Sequence, residues 1–111
     1  MTKSLLGAIT FLLLFLPAGG TEIVVPDDAQ TIQAAINMAA NGDTVLVRSG
    51  KYAECIKFSG KAITVKSEWG PAMTVIDGGR VNSVVSFVEE EGYGSVLNGF
   101  TITNGRAPTG G

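Results

Sequence analysis

The stretch DTVLVRSGKYAECIKFSGKAITVKSEWGPAMTVIDGGRVNSVVSFVEEEGYGSVLNGFTIT, residues 43–103, decides the fold. It is a succession of short apolar or alternating runs: Thr44 to Val47, Cys55 to Phe58, Ile63 to Lys66, Thr74 to Asp77, Val84 to Phe87, Ser95 to Asn98 and Phe100 to Thr103. Runs of about four residues rich in β-branched side chains and bounded by turn formers read as strands. Their spacing carries more. The step from Thr44 to Ile63 equals that from Cys55 to Thr74, and the step from Ile63 to Val84 equals that from Thr74 to Ser95. Two strand tracks advancing together with a period of about 20 suit a coiled solenoid, whose equivalent strands stack ~4.8 Å apart.

The residues between the runs agree. Ser49-Gly50-Lys51, Ser59-Gly60-Lys61, Asp77-Gly78-Gly79, Glu91-Gly92, Asn98-Gly99 and Asn104-Gly105 supply glycine or asparagine where tight corners need positive φ. Asn-Gly is also a hairpin signal, but Asn98-Gly99 parts two runs too short to be hairpin arms. The expected inward side chains are Val45, Val47, Ile56, Phe58, Ile63, Val65, Val75, Val85, Phe87, Val96, Phe100 and Ile102.

Working back from Asp43, the pattern changes to a helical one. Ile32, Ala35, Ile36 and Ala39 stand at i, i+3, i+4 and i+7 on one apolar stripe, while Gln33, Asn37 and Ala40 fall off it. Thr31 is the expected N-cap, Asn41-Gly42 the expected end, and the helix about ten residues long. So short a helix is held by packing rather than by propensity. Before it, Ile23-Val24-Val25 forms a short run stopped by Pro26, and Asp27 and Asp28 are placed to accept backbone N–H groups where the helix begins.

Residues 1–20 read as a secretory leader: Lys3 ahead of the apolar run Leu5 to Leu16, then Ala18 and Gly20 as the small residues at −3 and −1 of a cut before Thr21. The run of twelve is shorter than the ~20 residues that cross a bilayer, so no membrane span is expected after its removal. Residues 21–43 then hold a strand and capping helix, and 44–111 the coils. The chain of 111 residues has a net charge of −2, which becomes more acidic once Lys3 leaves, so nothing points to nucleic acid. It has 15 glycines and no histidine, and Cys55 is its one cysteine. That excludes Ser/His/Asp and Cys/His triads, His-ligated metals, an intrachain disulfide and any multi-cysteine metal site. Cys55 is expected to be a small buried hydrophobe.

The strings Val-Pro-Asp-Asp-Ala-Gln-Thr-Ile-Gln-Ala-Ala-Ile at 25–36, Asn-Gly-Asp-Thr-Val-Leu-Val at 41–47, Gly-Lys-Tyr at 50–52, Thr-Val-Ile-Asp-Gly at 74–78 and Gly-Phe-Thr-Ile-Thr-Asn-Gly at 99–105 carry a resemblance. Together they resemble the opening of a secreted right-handed parallel β-helix protein of the pectin-lyase-like superfamily. The resemblance implies an all-β, right-handed solenoid of about three coils, with the short N-terminal α-helix covering the first coil. It implies no single activity, because pectinesterases, polysaccharide lyases, periplasmic copper-site maturation proteins and non-catalytic bacterial surface proteins share this opening. It also implies further coils, since positions 44–103 are coil throughout and no C-terminal cap follows them. The chain therefore reads as a truncated gene product or the fragment of a longer protein, with a natural short form closed by self-association through the open C-terminal coil as the alternative.

No residue is assigned a catalytic or metal-ligating role, binding residues are left unassigned, and no cofactor is expected, with calcium a matter for a longer form alone. Asp77 and Arg80 read as a carboxylate bonding its own turn beside an exposed guanidinium, rather than as a sugar-acid clamp. Glu89-Glu90-Glu91 reads as a solvated edge, since three consecutive carboxylates cannot all face one calcium ion. Trp69, within Ser67-Glu68-Trp69-Gly70-Pro71, is either a platform for a sugar or a lid folded over the core. The expected function is a structural or surface-display role in the periplasm, on the cell surface or outside the cell. Polysaccharide processing, with polysaccharide as partner, and a periplasmic interaction or maturation module are the alternatives.

Overall fold

A computed structural model describes residues 20–87 and 94–106 of the chain. Among these, nine strands and one helix follow in order: β1 (Glu22–Val25), α1 (Ile32–Met38), β2 (Thr44–Val47), β3 (Gly50–Ala53), β4 (Ile56–Lys57), β5 (Thr64–Ser67), β6 (Thr74–Asp77), β7 (Val85–Ser86), β8 (Val96–Asn98) and β9 (Thr101–Thr103). They form three sheets ordered β1-β2-β5-β8, β3-β6-β9 and β4-β7, and each of these pairings is parallel. The path is a β-solenoid of about three turns. One coil runs β2-β3-β4, the next β5-β6-β7 and the third opens with β8-β9, each strand lying over its counterpart one turn earlier.

The stacking regroups the strand tracks. Thr44 does lie beneath Thr64, but Thr64 lies beneath Val96, a longer step than the expected one from Ile63 to Val84. Val85 belongs with Ile56 in the third sheet, and Thr74 with Gly50 in the second. The described strands make three tracks, not two, and the steps between partners are unequal, shortest from Thr44 to Thr64 and longest from Thr64 to Val96. Parallel pairing fixes the register within each strand and leaves corner length free, so coils of unequal length still stack. The track that escaped the sequence is β3: Gly50-Lys51 reads as a turn, yet it forms a strand because β6 supplies a full ladder alongside it.

Alternation within strands sends every second side chain inward. Ile23 and Val25, Val45 and Val47, and Val65 fill the first sheet's inner face, and Ile56, Phe58 and Ile63 the remainder of the first coil, all buried. Two strands have the opposite phase to that expected. In β6 the inward residues are Thr74 and Ile76, so Val75 lies on the outer face between Lys51 and Thr101. In β8 Leu97 sits over buried Val65, which turns Val96 outward at 41 % exposure. Phe87 and Ile102 are also largely exposed and Val85 and Phe100 only half-buried, because no further coil among the described residues lies over them.

The helix is shorter than its stripe. It spans seven residues and stops at Ala39, not at Asn41-Gly42. Ile32, Ala35, Ile36 and Ala39 are buried against β1, β2 and β4, as the stripe requires. Thr31 is the N-cap, its hydroxyl accepting from the Ala34 N–H at 3.0 Å. The helix's other partners come from remote parts of the chain. Both Glu54 carboxylate oxygens accept from the first helical N–H groups, Ile32 at 2.9 Å and Gln33 at 3.0 Å. At the opposite end the Lys61 ammonium donates to the carbonyls of Ile36 (2.8 Å) and Asn37 (2.9 Å). An anion at the N-terminus and a cation at the C-terminus complement the helix dipole. Asp28, expected at the helix start, instead accepts from the Val24 N–H behind it at 2.9 Å.

Candidate functional site

The two ends of the stack differ in kind. At the first end, β1 covers the edge of the first sheet, and α1 covers the inner face. The Gln33 side chain does for the third sheet what a strand would do: its amide oxygen accepts from Lys57 N at 2.7 Å and its Nε2 donates to Lys57 O at 3.1 Å. The backbone edge of β4 is thereby satisfied by one side chain. Gln33 looks like a solvent-facing helix residue in sequence, and no local pattern marks it.

At the other end, β7, β8 and β9 are the outermost described strands of their sheets. Phe87 lies on buried Phe58 with ring centroids 4.4 Å apart and planes 29° from parallel. Val84, Val85, Phe87, Leu97 and Ile102 line an open depression of about 490 Å³ beside Arg106. Apolar side chains flanked by strand edges are what the interior of a solenoid looks like where it is cut across.

Charged side chains form two ladders along the outside. At the corner after the first sheet, Arg48 donates from Nε to both Asp27 oxygens at 3.2 Å and from Nη1 to Glu68 at 3.2 and 3.3 Å. These three residues belong to successive rungs. The Asp27 carboxylate, with the charge of Glu68, raises the Arg48 pKa above its usual value. The Tyr52 hydroxyl donates to Arg48 O at 2.9 Å; partial burial first, then the nearby Glu54 and Asp27 charges, raise its pKa.

The second ladder runs through Asp77. Its Oδ1 accepts from Gly79 N at 2.8 Å and Asn104 Nδ2 at 3.0 Å, and its Oδ2 lies 3.3 Å from Lys51 Nζ. The Gly79 N–H and the Asn104 amide, then Lys51, hold this carboxyl below the usual range against the opposing effect of burial. Asp77 therefore bonds its own turn, and the cation it meets is Lys51 on the preceding coil rather than Arg80. A carboxylate with both oxygens engaged and a depressed pKa is a poor general base at neutral pH.

Cys55 is half-buried rather than buried, its thiol donating to Gly78 O at 3.5 Å, and it is one of the residues lining a depression of about 150 Å³. Among the described residues no group of three or more Cys, Asp or Glu is placed to hold a metal ion. Glu89, Glu90 and Glu91 lie outside the described residues. Trp69 is 68 % exposed, which decides between its two readings in favour of a solvent-facing ring. It stands with Met73, also exposed, on the connection between β5 and β6, which is longer than the equivalent corners after β2 and β8. Comparison with known proteins finds no matching family, no matching curated protein and no matching solved structure.

Proposed function

We propose that this chain is the N-terminal cap and first coils of an exported, right-handed parallel β-helix of the pectin-lyase-like kind, with a structural or surface-display role. The observation that carries the reading is the asymmetry of the stack. One end is covered over its first and third sheets by β1, α1 and the Gln33 amide, with β3 the edge strand of the second, and the other presents Phe87, Leu97 and Ile102 between strand edges, the surface on which another coil stacks. The use of charge supports the same reading. Glu54 and Lys61 hold the helix, Asp27, Arg48 and Glu68 link rungs, and Asp77 braces its turn, so these groups are committed to holding coils together.

Expression of the whole chain in an exporting bacterium tests this. The expected result is recovery from the periplasm or medium and self-association that Phe87→Asp abolishes, measured by light scattering. Retention in the cytoplasm refutes export. An unchanged assembly state in the variant refutes stacking through the open end. Exposed Trp69 favours a second reading, polysaccharide contact along the flank. Its test is quenching of the tryptophan fluorescence by polygalacturonate or a neutral glucan, and release of shortened or unsaturated sugars would make the chain an enzyme in its own right.

A further inference from the structure

The backbone N–H of Thr21 points at a side chain built to receive it. It donates to Asp43 Oδ1 at 2.8 Å, while the other oxygen of the same carboxylate accepts from Ala40 N at 2.9 Å. The Thr21 carbonyl in turn accepts from Thr44 N at 2.9 Å, so the residue is gripped on both sides by the start of β2. Gly20 has φ +83°, and a Cβ there would overlap the Gly42 carbonyl oxygen and lie 2.7 Å from Asp43 Oδ1. Glycine is thus the residue this corner admits, and a small residue is what an export peptidase requires at −1. Two unrelated demands fall on one position.

We propose that Asp43 is the acceptor for the α-ammonium group released when the leader is cut between Gly20 and Thr21. Water hydrolyses the Gly20–Thr21 peptide bond: the carboxylate leaves on Gly20 with the leader, and the nitrogen stays on Thr21 and takes a proton. An amide donor becomes a cation at a site where a carboxylate already stands at hydrogen-bond distance, and a hydrogen bond charged on one side becomes an ion pair. The N–H groups of Ala40 and Thr21, with the Lys61 charge, already hold the Asp43 carboxyl below its usual range, so at neutral pH it is ionised alongside the ammonium. Among the described residues, Asp43 and Lys61 are the charged groups set against this corner, with Glu22 next in the chain. Export would then tighten the fold's first rung, fastening the start of β1 to the start of β2 when the leader is removed.

The inference rests on the export reading, and the experiment separates the two. The whole chain is exported from a bacterial host, the N-terminus of the product is read by mass spectrometry, and its α-amine is titrated by rate of acetylation. The expected product begins at Thr21, and its α-amine labels at pH 8 roughly threefold or more slowly than a peptide of the same first residues, because pairing raises a pKa that is ordinarily about 7.7–8.0. Asp43→Asn restores the peptide's rate. A product that begins at another residue overturns the capture by Asp43 and leaves export standing, and no exported product at all overturns both readings. A product that begins at Thr21 with the peptide's labelling rate overturns the capture by Asp43 and leaves export standing. The comparison with the peptide uses the unaltered protein, so the outcome holds even if Asp43→Asn fails to fold.

Discussion

Replacing Thr74 by valine is expected to stabilise the protein. Thr74 is fully buried on the inner face of β6, and its hydroxyl finds no hydrogen-bond partner among the described residues. An unpaired hydroxyl moved from water into an apolar interior costs roughly 1–3 kcal/mol by mutational measures. Valine has nearly the same shape, keeps both branches at Cβ, and favours strands at least as well as threonine. The expected gain is about 1–2 kcal/mol, which for a domain of this size raises the melting temperature by about 4–8 °C per kcal/mol. Thermal melts and urea titrations followed by far-UV circular dichroism measure it, with the urea midpoint rising at constant slope. Thr64→Val, on the outer face between Thr44 and Val96, is the control and is expected to change stability by less than about 0.5 kcal/mol. A Thr74→Val protein no more stable than the wild type would show that the hydroxyl is satisfied in solution, and the argument from burial would fail.

Four further perturbations probe different contacts. Gly99→Ala is expected to cost about 1–3 kcal/mol in a urea titration, because Gly99 has φ +89° and its added methyl would overlap Ser67 Oγ. Gly78→Ala should be of similar size, with a methyl 2.8 Å from Val84 Cγ2 and 3.0 Å from Asn104 O. Glu54→Ala removes the acceptor of two helix N–H groups and is expected to destabilise more than Thr31→Ala, whose cap is worth about 1 kcal/mol; equal losses by chemical denaturation would refute the remote clamp. Asp43 and Asp77 have folded-state pKa values below 3.8, so each contributes stability present above the unfolded value and lost as pH falls through the folded one. The melting temperature should therefore drop below about pH 4, and Asp77→Asn should flatten that part of the curve; an unchanged acid limb counts against the Asp77 ladder.

What the sequence shows of this fold is what depends on local pattern. The bounds of β2 and β6 are readable to the residue, because Thr-Val-Leu-Val and Thr-Val-Ile-Asp combine β-branched runs with sharp glycine or arginine-serine borders. The Thr31 cap and the Ile32-Ala35-Ile36 stripe are readable for the same reason. What depends on stacking is not. Of the matched steps, that from Thr44 to Ile63 stays within one sheet while the other three cross between sheets, and β3 is a strand by virtue of its partner rather than its own residues. The phase of β6 follows from its neighbours, since either Val75 or the Thr74 and Ile76 pair makes a plausible inner face in isolation. The groups that hold the helix, Glu54 and Lys61, stand a full coil away in sequence from the atoms they bond, beyond any local window. Trp69 needed the same three-dimensional information: its corner is long and open where the equivalent corners are tight.

The unequal coil steps have a kinetic meaning. Each described strand pairs with the one a single turn before it, never with one across the whole chain. Closing a loop of that size costs an entropy that grows only with the logarithm of its length, so the third turn is scarcely harder to close than the second. Each finished turn is the template for the next. A chain delivered N-terminus first can therefore wind as it emerges, starting on β1 and α1, and its folding time should grow with the number of turns rather than with the span of the sequence.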